Sequence, residues 1–196
     1  MTNDIKKITA PAHQALEGFL IPVIKNVFTI PDYVRLLRLF YGFYKPVEDA
    51  LEAFAIHEVL SDYEQRRKAQ AIMRDLETLN QPSLDAPLCT FIPLIRGREE
   101  AFGALYVLEG STLGGLIIKK ILQRNLQQEG EPGFEFFTGY ADRTAERWEG
   151  FKAVLDTQYK SAEQLHRVCA TAVQTFTQLN KWAEMCYQYE PAEEKL

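Results

Sequence analysis

Apolar side chains return every third or fourth position along almost the whole chain, and no run of β-branched residues alternates with polar ones. A period near 3.6 buries one stripe of a helix, whereas a half-buried strand needs a period of two, so the sequence reads as all-α. One stripe is Ile5, Ile8, Ala12, Leu16 and Phe19. A longer one is Leu36, Leu37, Phe40, Tyr44, Val47, Leu51 and Phe54, with a kink expected at Pro46 because proline cannot donate to the helical ladder. A third helix is expected over 63–79, a long helical stretch over 99–128, and two more over 142–157 and 161–189. Prolines within 80–87 and the Gly/Pro cluster from 130 to about 139 mark loops. Seven or so helices with short connections make a single-domain, multi-helix bundle over residues 1–190, with a flexible tail at 191–196.

A chain of 196 residues buries roughly 70% of its unfolded surface and needs neither disulfides nor a metal to hold a core. The formal net charge is −5, and the basic residues are scattered, which argues against nucleic acid as a partner. Cys89, Cys169 and Cys186 are odd in number and widely spaced, so they form neither a disulfide framework nor a zinc site. No segment approaches the ~18–20 continuous apolar residues of a membrane span, and the start of the chain lacks the apolar core of a secretion signal. A cytoplasmic, reducing location is expected, with no membrane partner.

The anomaly is a cluster of glycines: five of the chain's 11 fall between Gly97 and Gly115, inside strongly helical flanks. Each interior glycine forgoes about 1 kcal/mol relative to alanine. Gly103, Gly110 and Gly114, spaced seven and four apart, therefore imply that something approaches that backbone closely. Two readings stand at this point: tight helix–helix packing through small residues, or a flat ligand lying against the helix. From Gly103 to Ile118 there is no His, Arg or Lys, and the polar side chains are Tyr106, Glu109, Ser111 and Thr112. A phosphate-binding loop places its glycines ahead of a helix and adds a lysine, so a nucleotide site is rejected.

Three histidines exist. On the first helix Lys6, Ala10, His13 and Glu17 share a face, setting a cation, an imidazole and a carboxylate in line; a plain solvated face has the same pattern. His57 reads as a surface or loop residue. His166 lies three residues after Glu163, the Glu-x-x-His element of di-iron bundles, but neither other histidine has a glutamate three residues before it, so that site cannot be completed.

Three blocks resemble the haem oxygenases, specifically their compact bacterial, biliverdin-producing branch. KKITAPAHQALE at 6–17 resembles the family's first helix, and ALYVLEGSTLGG at 104–115 resembles its distal helix, which kinks over the haem. FFTGY at 136–140 with Trp148 and Phe151, then AVQTF at 172–176 and Trp182, resembles the later helices. The resemblance spans nearly the whole chain and places haem between the first helix and the kinked glycine-rich one. It implies that His13 is the iron ligand, that Glu17 orients it, and that Gly110, Gly114 and Gly115 bring bare backbone against the haem. Phe176 joins the haem contacts. Ser111 stands where animal enzymes have an aspartate, and with Gly110 and Gly114 forms the catalytic surface. Lys6 and Tyr106 hold the propionates and so select the α-meso carbon. Pro11 suggests that the first helix starts only near Thr9, leaving Lys6 on an arm. Arg147 and Lys152 are the basic residues nearest in sequence to the later-helix group that meets a propionate in animal forms.

The implied activity opens haem, cofactor and substrate together, with O2 to biliverdin, carbon monoxide and ferrous iron. Nothing in the chain resembles a flavin or nicotinamide site, so electrons come from a ferredoxin or a reductase. Lys119, Lys120 and Arg124, with Lys6, Lys7 and Arg38, form either a docking patch for an acidic donor or an ordinary solvated face. A biliverdin-accepting partner is a further implication. A haem carrier without turnover and a thiaminase-like helical enzyme with a cysteine nucleophile are the competing readings.

Overall fold

The structure is a computed structural model describing residues 2–66, 68–81, 87–128 and 133–188. Eight α-helices occur among these residues: α1 (Thr2–Lys25), α2 (Ile30–Leu51), α3 (Gln70–Thr78), α4 (Arg98–Gly110), α5 (Thr112–Leu126), α6 (Glu135–Thr138), α7 (Thr144–Gln158) and α8 (Ala162–Gln188). No strand occurs among them, as the 3.6 period requires. The long α8 packs along both α1 and α4, while α6 wedges between α3 and α5. The tail expected at 191–196 lies outside the described residues.

α1 begins at Thr2 and runs straight through Pro11, so Lys6 is part of the helix and not on an arm. A proline inside a helix frees the carbonyl four residues earlier, here Lys7 for Pro11 and Gly18 for Pro22. Both residues are exposed, so water can take up the freed groups. Thr2 also ties the start of the helix to α7 by donating its amide and hydroxyl to Asp156 at 3.0 Å each. In α2 the carbonyl freed by Pro46 is that of Gly42, which is buried, and the Cys89 amide fills it at 2.8 Å. A Cβ at Gly42 would meet the Pro87 carbonyl at 2.6 Å and the Trp182 ring at 2.7 Å, so the strap around residues 87–89, α2 and α8 converge on one glycine. α2 starts with a reciprocal cap, Asp32 amide to Thr29 Oγ1 at 3.2 Å and Thr29 amide to Asp32 Oδ2 at 3.0 Å.

The helix expected over 63–79 is interrupted. A short 3-10 turn, Tyr63–Gln65, ends at the buried Arg66, and α3 begins only at Gln70. Arg66 leaves the helical path because its guanidinium is drawn inward to carboxylates on α4 and on the preceding turn. The loop expected to continue to about residue 139 contains α6, whose amides at Glu135 and Phe136 donate to Asp75 at 2.7 and 2.9 Å. Phe136 and Phe137 then enter an aromatic cluster with Tyr33, Phe40 and Tyr44 of α2. The stretch expected over 99–128 is two helices meeting at Ser111. By length and composition it passes as a membrane span, but most of its apolar window is buried inside the protein, as in a core helix.

Candidate functional site

α1 turns an unusual face outward. His13 is half-exposed, with Nε2 3.6 Å from Glu17 Oε1 one turn on. That distance is too long for a hydrogen bond but close enough for the carboxylate to bias the ring's orientation. The imidazole lies against Phe176 of α8, with ring centroids 5.0 Å apart. Lys6 extends from the same helix at an exposed position two turns before His13. No group of three or more His, Cys, Asp or Glu that could hold a metal ion exists among the described residues. A single imidazole such as that of His13 would suit an iron whose equatorial positions a porphyrin fills, and not a metal held by side chains alone.

The glycines of α4 and α5 separate into two kinds. At Gly103 an added Cβ would meet the Val168 carbonyl at 2.4 Å, and at Gly115 the Phe137 carbonyl at 2.4 Å, so packing against α8 and α6 accounts for both. At Gly110 the nearest atom is the Trp148 ring at an ordinary 3.5 Å, and at Gly114 nothing lies within 4 Å. Internal packing gives no reason for those two. Helix packing thus accounts for Gly103 and Gly115 and leaves Gly110 and Gly114 without an internal reason.

The two walls are joined at two levels. The Tyr106 hydroxyl approaches the Thr9 side chain, which works to lower its pKa, but burial, the larger influence, raises it. Thr9 in turn donates to the Ile5 carbonyl at 2.8 Å. His13 lies one turn beyond Thr9 and Gly110 one turn beyond Tyr106. Farther along, Asn125 Nδ2 donates to the Lys25 carbonyl at 3.0 Å. Between these joins Ile21 of α1 and Leu113, Leu116 and Ile117 of α5 are large apolar side chains left exposed.

Behind the junction at Ser111 the polar groups are bonded to one another. Ser111 Oγ donates to the Leu108 carbonyl at 2.7 Å and accepts from the Tyr44 hydroxyl at 2.9 Å. Thr112 Oγ1 donates to the Glu109 carbonyl at 2.6 Å. Both hydroxyls bond back to carbonyls of the preceding turn, where α4 and α5 meet. Glu109, 4% exposed, receives Arg66 Nη1 at 2.5 Å and the Tyr140 hydroxyl at 3.0 Å. Arg66, also 4% exposed, donates Nε and Nη2 to Asp62 at 2.9 and 3.1 Å, and Nη2 reaches the Arg147 carbonyl at 3.2 Å. The Arg147 guanidinium closes the cluster on Asp62. Burial works to raise the Asp62 pKa, but the bonds and charges of Arg66 and Arg147 outweigh it and hold the pKa below the usual value.

Several expectations are thereby revised. Arg147 is committed to Asp62 and Lys152 to Glu149 at 2.7 Å. Lys119 is buried and donates to Thr138 Oγ1 at 3.0 Å, so it does not belong to a surface patch; Lys6, Lys7, Lys120 and Arg124 are exposed and Arg38 is half-buried. Glu163 pairs with Arg167 at 2.5 Å on an exposed face of α8. Burial pushes the thiol pKa upward at Cys89 and Cys169, and to about 11 at Cys186, the opposite of an activated nucleophile. The Arg66–Glu109 pair escaped the sequence reading. Its signal was a lone carboxylate in an otherwise apolar run at 101–110, which when buried demands a cation from elsewhere.

The bundle matches solved haem oxygenase structures. The NO- and CO-bound heme oxygenase from Neisseria meningitidis superposes with a TM-score of 0.80 at 21% identity, covering 97% of this chain and 93% of that one. Heme oxygenase from Leptospira interrogans gives a TM-score of 0.71 at 19% identity, covering 92% and 97%. At these identities the likeness defines the helical fold. In sequence, the "Heme oxygenase" family model matches residues 94–185. A heme oxygenase of Xanthomonas campestris pv. campestris (strain 8004) is 33% identical over 134 residues, spanning 66% of this chain and 75% of that protein. The chain belongs to the haem oxygenase family and is an oxidoreductase of that kind.

Proposed function

We propose that the chain binds haem between α1 and the α4–α5 wall, with His13 as the iron ligand, and opens it to biliverdin, carbon monoxide and ferrous iron. The observation that carries this reading is the contrast among the glycines. Gly110 and Gly114 have no internal packing partner that forbids a side chain, and Gly110 follows Tyr106 by one turn on α4 as His13 follows Thr9 by one turn on α1. Along α1 the joins are about 24 Å apart, and along α4–α5 about 28 Å, at 1.5 Å per residue. The surplus length lets the second wall stand off from the first, with Leu113, Leu116 and Ile117 as an apolar lining.

Haem, as cofactor and substrate, supplies the iron that activates O2 and the meso carbon that is oxidised. The chain's own residues bind and orient. Glu17 biases the His13 ring, and Phe176 fixes its tilt from the α8 side. Lys6, anchored on α1, and Tyr106, held by Thr9, sit close enough in register to receive propionates and favour the α-meso edge. Ser111 spends its proton on the Leu108 carbonyl, so it serves the distal side as a shaped surface and an acceptor. No His, Arg or Lys lies from Gly103 to Ile118, so no cationic side chain of that stretch pulls on an oxygen–oxygen bond. Electrons arrive from a ferredoxin or reductase docked near the exposed Lys6, Lys7, Lys120 and Arg124, and the setting is cytoplasmic. A biliverdin-accepting partner then takes the product.

Hemin titration of the wild type beside His13→Ala, followed at the Soret band, tests the ligand. A His-ligated spectrum is expected only in the wild type, and an unchanged spectrum in the variant overturns the assignment. Single turnover with a reductase or ascorbate should then give a biliverdin absorption band. Its absence from a protein that binds hemin through His13 would leave a carrier in place of an enzyme.

A further inference from the structure

We infer that Glu109 and Arg66 are positioning residues: their buried ion pair sets where the Gly110–Gly114 backbone stands relative to the His13 wall. The inference rests on the proposed function for what that backbone faces, but its first test does not. Glu109 is the residue immediately before Gly110, and both its carboxylate oxygens are used, Oε2 by Arg66 at 2.5 Å and both by the Tyr140 hydroxyl at 3.0 Å. Arg66 in turn is held by Asp62 through Nε and Nη2. Two guanidinium groups and two carboxylates thus form a charge-balanced knot joining the turn before Arg66, Tyr140 and α7 to one peptide position at a helix junction. Arginine's planar fork fixes direction as well as distance, which a hydrophobic contact at that place would not.

The position matters more than the energy. Replacing a buried pair by apolar side chains is often neutral in stability, so stability alone does not explain its presence beside the break. The hydroxyl protons of Ser111 and Thr112 go to carbonyls of their own segment and so do not themselves tie the last turn of α4 to its neighbours. Glu109, with the Tyr44–Ser111 bond, refers that turn by directed polar contacts to α2 and to the segments that carry Arg66 and Tyr140.

The first test uses the protein without haem. Hydrogen exchange in Glu109→Gln should accelerate at amides 108–115 by about tenfold while α8 keeps its protection. Arg74→Gln, which removes the exposed Arg74–Glu135 pair, should leave 108–115 unchanged. The second test uses the hemin-loaded protein. Glu109→Gln should retain hemin affinity and the His13-ligated spectrum, broaden or shift the C–O stretch of the ferrous CO complex, and lower single-turnover kcat by up to about a hundredfold, as a 1 Å misplacement does. Arg66→Lys, with the charge but not the fork, should fall between. Should Glu109→Gln fail to fold, Arg66→Met combined with Glu109→Leu strands no charge and is read in the same way. Unchanged exchange at 108–115, an unchanged C–O stretch in a folded variant, or unfolding of the doubly apolar protein each overturns the positioning role. Loss of His13-dependent hemin binding in the wild type is a different failure and strikes only the proposed function.

Discussion

The α1 wall and the α4–α5 wall face one another, and they are built on opposite principles. α1 offers a half-exposed imidazole with one loosely placed carboxylate, and its freed carbonyls lie at exposed positions. α4 and α5 are braced from behind by a buried guanidinium–carboxylate pair linked to a half-buried one, three hydroxyl bonds and a wedge of phenylalanines. A side chain that coordinates can adjust by rotating, so its wall needs little support. A wall that works through its backbone has no rotamers to adjust, and its position must be fixed by everything behind it.

The contrast predicts that stability is lost on one side and ligand chemistry on the other. The largest effect on folding should come from Arg66→Met alone, which leaves Glu109 buried without its cation and lowers the unfolding free energy by about 3–5 kcal/mol in urea titration. His13→Ala should stay within about 0.5 kcal/mol of the wild type in the same titration while losing the His-ligated form of the Soret spectrum.

Asp75 carries a pH effect of intermediate size. It caps α6, which supports α5 at Gly115, and burial raises its pKa from the usual 3.8 to about 6 despite two backbone amides that oppose the shift. Because the folded value exceeds the unfolded one, the proton favours the folded state. That contribution is full below 3.8, declines as pH rises, and is gone above about 6. Relative to Asp75→Asn, the wild type should therefore gain about 3 kcal/mol between neutral and acid pH, measured by urea midpoints across that window.

Two glycines sharpen the comparison further. Gly103→Ala drives a methyl into the Val168 carbonyl and should destabilise by about 1–3 kcal/mol. Gly114→Ala meets nothing and should stabilise the protein without haem by up to about 1 kcal/mol while weakening hemin binding. The smallest effect belongs to Glu17→Gln, whose half-exposed pair with His13 contributes under about 1 kcal/mol to folding but should alter the ligand-field spectrum of the ferric complex.

Much of this was legible in the chain. Periodicity fixes the helices, and the one-turn spacing of His13 and Glu17 survives in space because a helix converts sequence distance directly into geometry. The glycine cluster pointed to close approach, but its two causes could not be told apart, since what meets Gly103 and Gly115 comes from α8 and α6. The interruption of the expected 63–79 helix was illegible for the same reason: Arg66 answers to a carboxylate 43 residues away. Pro11 misled because the cost of an interior proline depends on whether the carbonyl it frees is wet, and on α1 it is.

The meeting point at Gly42 bears on how the polypeptide comes together. Its missing side chain admits the Trp182 ring, and the Trp182 indole donates to the Leu39 carbonyl at 2.9 Å across 143 residues of sequence. The Gly42 corner of α2 therefore reaches its final arrangement only once α8 has been synthesised. Helices that form quickly by themselves must wait for a distant tryptophan, and a chain truncated before it would remain an unlatched assembly.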